Sequence, residues 1–144
     1  MKTSNIVVAA TIASVEAATP ARAKETTSHF SINELTRSAT AQKLRIDNTP
    51  PPWAIENMSR LIDNVLDPAR QLLGAPIYVN SGYRCEKLNK AVGGVTRSYH
   101  RAGRAADLTT GSIEGNRRLY DILKKLPHVE LIWERGGTWI HVAY

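Results

Sequence analysis

Val129-Glu130-Leu131-Ile132-Trp133-Glu134-Arg135-Gly136-Gly137-Thr138-Trp139-Ile140-His141-Val142-Ala143-Tyr144 decides the fold of this chain. β-Branched and aromatic residues occur in both halves, with Gly136-Gly137 between them. The pattern predicts a hairpin: a strand over Val129 to Trp133, a turn at Gly136-Gly137, and a second strand over Thr138 to Tyr144. Side chains alternate along a strand, so Trp139, His141 and Ala143 share one face while Ile140, Val142 and Tyr144 share the other. An imidazole flanked by Ile140 and Val142 has two readings. It is either a core group bonded to a backbone carbonyl or a ligand presented to a site.

Working upstream, Gly115 to Leu126 suits a surface helix with Leu119, Ile122, Leu123 and Leu126 inward. Ala105 to Thr109 reads as a strand after Gly103, and Ile77 to Asn80 as another after Pro76. Glu86 to Val92 suits a short helix closed by Gly93-Gly94. From Trp53, which we expect to anchor the helix start, Ile55, Met58, Leu61, Ile62, Val65, Leu66 and Ala69 recur at helical spacing. Pro68 should kink or restart that helix, and Gly74 ends it. Asn48-Thr49-Pro50-Pro51-Pro52 forces an extended linker, and Ser31 to Glu34 has the capping-box arrangement that starts a helix. Helices first, then strands with one more helix between them, argue for α+β, with an antiparallel sheet carrying the site.

The 144 residues, 42% hydrophobic and 22% charged, suit one globular domain, expected over residues 30–144. The formal charge of +6 favours anionic partners. Nucleic acid is not expected, because the basic residues are scattered and form no recognised nucleic-acid motif; bacterial envelope polymers are anionic too. Cys85 stands alone, so no intrachain disulfide forms. Its neighbour Arg84 could lower the thiol pKa, but no paired base is evident, and a bystander or buried role is expected. Residues 1–29 read either as an export signal or as a disordered tail. Lys2, the run Ile6 to Val15 and Ala21-Arg22-Ala23 favour a signal, whereas Thr11, Ser14 and Glu16 interrupt its apolar part. No run approaches the roughly 20 apolar residues of a membrane span. A monomer is expected.

His100, Asp107 and His141 offer two imidazoles and one carboxylate, a set that suits a first-row metal. Three protein groups leave zinc a fourth position for water, which distinguishes catalytic from structural sites. The set means something only if the fold brings it together, for His100 and Asp107 alone could equally be coincidence, with Arg101 or Arg104 as partners of Asp107. His29 in the tail and His128 after Pro127 are expected to be solvated. Trp133 and Trp139 suit core or cleft wall.

Ser81-Gly82-Tyr83-Arg84, Asn89, Val92-Gly93-Gly94, Ser98-x-His100-x-x-Gly103-x-Ala105-Ala106-Asp107 and Trp139-x-His141 together resemble the peptidase M15 family. Upstream, Phe30 to Ser38 and Asp47-Asn48-Thr49-Pro50 are similar to its small single-domain branch. The resemblance implies a hedgehog/D-Ala-D-Ala-peptidase-like domain with zinc on His100, Asp107 and His141. It also implies a hydrolase of peptidoglycan stem peptides, acting as a D-Ala-D-Ala carboxypeptidase or an endopeptidase. Several members carry an acidic residue three positions before the final histidine, where this chain has Thr138. Glu134 is therefore the candidate base, folded back by the hairpin, with Glu130 in reserve. Arg84 is expected to meet the substrate carbonyl or carboxylate, and Ser98 either to bind substrate or to cap a turn. The departure at Thr138 keeps open a second reading, a zinc-containing wall-binding module without catalysis. A signal would put the protein in the periplasm or outside the cell; without one it would stay cytoplasmic until released, as phage enzymes are.

Overall fold

The computed structural model describes residues 28–144, and the export-signal reading of the first 23 residues lies outside them. Along the chain run α1 (Ile32–Thr36), α2 (Ala39–Leu44), α3 (Pro52–Leu61), a π-helical turn (Ile62–Leu66), α4 (Asp67–Leu73), β1 (Tyr78–Ser81) and α5 (Glu86–Ala91). A 3-10 turn (Tyr99–Ala102), β2 (Ala105–Thr109), α6 (Ile113–Leu123), β3 (Glu130–Glu134), a second 3-10 turn (Arg135–Gly137) and β4 (Trp139–Ala143) follow. The strands form one sheet in the order β1-β2-β4-β3, antiparallel throughout, so the molecule is α+β as expected.

The sheet register divides the sheet into two working faces. Leu108 lies opposite Ile140, Ala106 opposite Val142, Leu131 opposite Val142 and Trp133 opposite Ile140. This face joins Met58, Leu61, Val65 and Leu66 of the long helical segment, and Leu119 and Leu123 of α6, in one apolar core. On the opposite face Asp107 pairs with His141, and His141 with Ile132.

Local chemistry explains most of the element ends. Ser31 caps α1 by accepting from the Glu34 backbone N–H at 3.1 Å. Ser112 caps α6 by accepting from Gly115 at 3.0 Å, which starts that helix two residues before the expected Gly115. Pro52 belongs to α3 rather than to the linker, because the first helical turn has no use for its missing N–H. Pro68 lies in the first turn of α4, where α-helical winding resumes after the π-helical turn, as expected of a restart. The chain widens just before it, with Asp67 N–H donating to Ile62 O, so one surplus residue is absorbed and the buried stripe continues through Val65 and Leu66 to Ala69.

Two expectations at the start of α3 fail because Ala54 takes the inward position. Ile55 is 38% exposed and Trp53 is 55% exposed, so neither packs inward and Trp53 is no anchor. Ala54, fully buried, faces the core instead, and the backbone of Gly103 approaches the backbone of Ala54. A Cβ on Gly103 would come within 2.7 Å of Ala54 O, and its φ of +73° also suits glycine. With Ala54 facing the core, helical geometry turns the residues on either side of it outward.

Candidate metal centre

His100 enters the site from the 3-10 turn, capped by Ser98, whose hydroxyl accepts from the His100 N–H at 3.1 Å. Asp107 comes from the middle of β2 and His141 from the directly opposed position on β4. One ligand atom from each of the three residues lies within 4.8 Å of the others. His100 Nε2 stands 3.3 Å and His141 Nδ1 3.0 Å from the same atom, Asp107 Oδ1. The rings are 5.2 Å apart between centroids. His100 is 3% exposed and His141 is 8% exposed, so this is a sheltered site rather than a surface cluster.

The far nitrogen of each ring decides what the near one can do. His100 Nδ1 lies 2.7 Å from Gly82 O, a carbonyl that can only accept, so Nδ1 carries the proton and Nε2 turns a lone pair inward. His141 Nε2 lies 2.7 Å from Glu130 Oε1 and its Nδ1 3.0 Å from Asp107 Oδ1; with the proton on the Glu130 side, Nδ1 turns a lone pair toward Asp107. Two lone pairs and a carboxylate oxygen then face one another in a small volume. Such an arrangement of acceptors is repulsive unless protons or a cation lie between them, and nitrogen with oxygen donors in this number suits zinc. The donor set fits a metal.

A proton on His141 is favoured in that role. Burial would raise the Asp107 pKa, but hydrogen bonds with His100 and His141, and their charges, outweigh it and hold the carboxyl well below the usual range. Burial would lower the His141 pKa, yet its bonds to Asp107 and Glu130 raise it. Neither Arg101 nor Arg104 serves Asp107: Arg101 pairs with Glu86 at 3.6 Å, and Arg104 Nε donates to Tyr144 O at 2.7 Å.

A cleft of about 330 Å³ opens onto the three groups, and Arg84, Ser98, Glu130, Glu134 and Trp139 all line it. A larger hollow of about 720 Å³, bordered by Arg60, Arg104 and His128, lies elsewhere and lacks a ligand set; chemistry rather than volume identifies the site. Glu134 opposes Trp139 across the hairpin, on the same face as His141. Among the described residues no hydrogen bond or ion pair engages its carboxylate, whereas Glu130 is occupied with His141. Arg135 does not pair with Glu134; its guanidinium lies over the Trp139 ring, 5.8 Å from the centroid. Burial lowers the Arg84 pKa while the Asp107 charge opposes that shift, and its Nε is shielded from solvent without a partner among the described residues.

Sequence reasoning missed several contributors. Arg97 and Ile132 line the cleft. Ile132 was findable, since residues 130, 132 and 134 alternate onto one face of β3. Asn116, 1% exposed, holds the hairpin turn to α6 by donating to Gly137 O at 2.7 Å and accepting from Thr110 N–H at 2.7 Å. Cys85 is partly buried, and its sulfur caps α5 by accepting from Leu88 N–H at 3.4 Å. His128 is exposed and bonded to Leu126 O, as a loop residue should be.

Comparison with known proteins agrees with this geometry. A family model described as Peptidase M15 matches residues 28–143. A search of curated proteins finds no match. The family match spans most of the chain and includes all three convergent side chains. The chain therefore belongs to the peptidase M15 family, and its domain is of the metal-dependent peptidase type.

Proposed function

We propose that the protein is a zinc peptidase that hydrolyses peptide bonds in peptidoglycan stem peptides, as a D-Ala-D-Ala carboxypeptidase or an endopeptidase. The observation that carries this reading is the convergence of His100, Asp107 and His141 beside a carboxylate, Glu134, that has no other partner among the described residues. His100 Nε2, Asp107 Oδ1 and His141 Nδ1 would hold the ion. Two neutral imidazoles and one carboxylate leave the loaded site with one net positive charge. When bound, the metal supplies a Lewis acid that acidifies water toward a pKa of about 7 and polarises a carbonyl oxygen.

Glu134 accepts the proton of the attacking water and later returns it to the leaving amine. Arg84 donates to the carbonyl oxygen as it gains charge, or clamps a terminal carboxylate in its fork. Ser98 holds the turn beneath His100 and stands at the cleft wall, within reach of substrate. The net charge of +6 suits an anionic envelope, where the protein would act once exported or released.

Incubating the zinc-loaded protein with purified muropeptides, and following D-Ala and new amines, tests the assignment. Glu134→Gln should keep stoichiometric metal and lose about 10²- to 10⁴-fold in kcat. An active wild type matched by Glu134→Gln would move the base elsewhere, with Glu130 next in line. A wild type that binds wall material without cleaving it would establish the binding-module reading that Thr138 first suggested.

A further inference from the structure

We propose that Asn48 is the positioning residue for Arg84. The inference rests on the role assigned to Arg84 above. Asn48 to Pro52 reads as an extended linker in the sequence, but the fold gives Asn48 a different task. The Asn48 carboxamide spends both donors and its oxygen on the backbone. Nδ2 donates to Thr36 O at 2.9 Å and to Tyr83 O at 3.0 Å, while Oδ1 accepts from Cys85 N–H at 2.8 Å. The residues on either side of Arg84 are thus gripped by one side chain.

No other residue type reproduces that grip. Aspartate cannot donate to the two carbonyls, alanine offers nothing, and glutamine is a methylene longer. The amide orientation follows from its partners, since two carbonyls require the NH₂ side. Thr49 steadies the segment from below, its N–H and hydroxyl both donating to Asp47 Oδ1, at 3.0 and 2.6 Å.

The remaining contacts of the Gly82–Cys85 loop point the same way. Tyr83 N–H donates to Leu35 O at 2.7 Å, and a Cβ on Gly82 would collide with that same oxygen. Arg84 N–H donates to His100 O at 3.0 Å. The loop is therefore clamped between the N-terminal helices and the metal-bearing turn, with Asn48 as its side-chain clasp. The guanidinium it presents has a buried Nε with no partner among the described residues, so its aim depends on the backbone below it rather than on an ion pair. A misplacement of about 1 Å in such a group costs up to about 10²-fold in rate.

A double-mutant cycle tests this. Asn48→Ala, Arg84→Ala and the double variant are prepared zinc-loaded, checked for stoichiometric metal and cooperative unfolding, and compared in kcat and KM on muropeptides. Asn48→Ala should lower kcat/KM by about 10- to 100-fold in the wild-type background and by less than about twofold in the Arg84→Ala background, with metal content unchanged. If Asn48→Ala does not fold, Asn48→Asp, which keeps the acceptor for Cys85, takes its place in the same cycle. Additive losses would overturn the positioning role while leaving the peptidase reading intact. An Arg84→Ala variant as active as wild type would overturn the role of Arg84 and this inference with it. An inert wild type would overturn the reading on which both rest.

Discussion

The two faces of β4 alternate residue by residue, yet they answer to different physics. Ile140 and Val142 are fully buried and need only the apolar residues opposite and beneath them. His141, between them in sequence, belongs to a set of acceptors that repel one another until something positive joins them. One strand thus stabilises the fold on one side and sets up chemistry on the other. Loss of a side chain should therefore read out as instability from one face and as lost metal from the other.

The sharpest way to break that contrast is His141→Ala. It should abolish stoichiometric zinc binding by elemental analysis and reduce hydrolysis on the order of 10⁴-fold, as removing a group on which the chemistry depends does. Chelation of the wild type should do the same, reversibly. In both cases the far-UV circular dichroism should stay native. A metal-free His141→Ala protein that unfolds would show the faces to be one unit. Next in size, Ile140→Ala should cost about 2–5 kcal/mol in denaturant unfolding with metal content intact, from lost burial and the cavity left behind.

A smaller effect lies in the pH dependence of the metal-free protein. The depressed Asp107 pKa contributes stability above its unfolded value near 3.8, and that contribution is lost as pH falls. The raised His141 pKa contributes fully below its unfolded value near 6.5, and that contribution is lost as pH rises through the folded value. Thermal melts in chelator should peak between these two values. Zinc-loaded melts should peak higher, because the ligands must be deprotonated to hold the ion. Coincident profiles would mean that no metal displaces those protons. Smallest of all, Trp53→Ser should change stability by no more than about 0.5 kcal/mol, since the ring is 55% exposed.

Elements whose cause is local were legible in the sequence. β-Branched and aromatic residues on both sides of Gly136-Gly137 specified the hairpin, and Ser31 with Glu34 specified the start of α1. The site was legible only in part. His100, Asp107 and His141 could be named, but nothing local reveals that β2 and β4 pair with Asp107 opposite His141. Resemblance to a family supplied that expectation. Contacts between distant segments stayed hidden: Asn48 with Tyr83 and Cys85, Glu130 with His141, and Gly103 against Ala54. Each depends on where the chain returns in space, and the spacing of residues does not encode that.

The widened turn over Ile62–Leu66 sets the rotational phase between the two halves of the long helical segment. Deleting one residue there should restore ordinary winding and leave α4 in nearly the same phase, whereas a residue added without a widened turn to absorb it would swing α4 by about 100° relative to α3. That swing would carry Ala69 out of the interior, so the widened turn works as a gear tooth that keeps both halves meshed with one sheet.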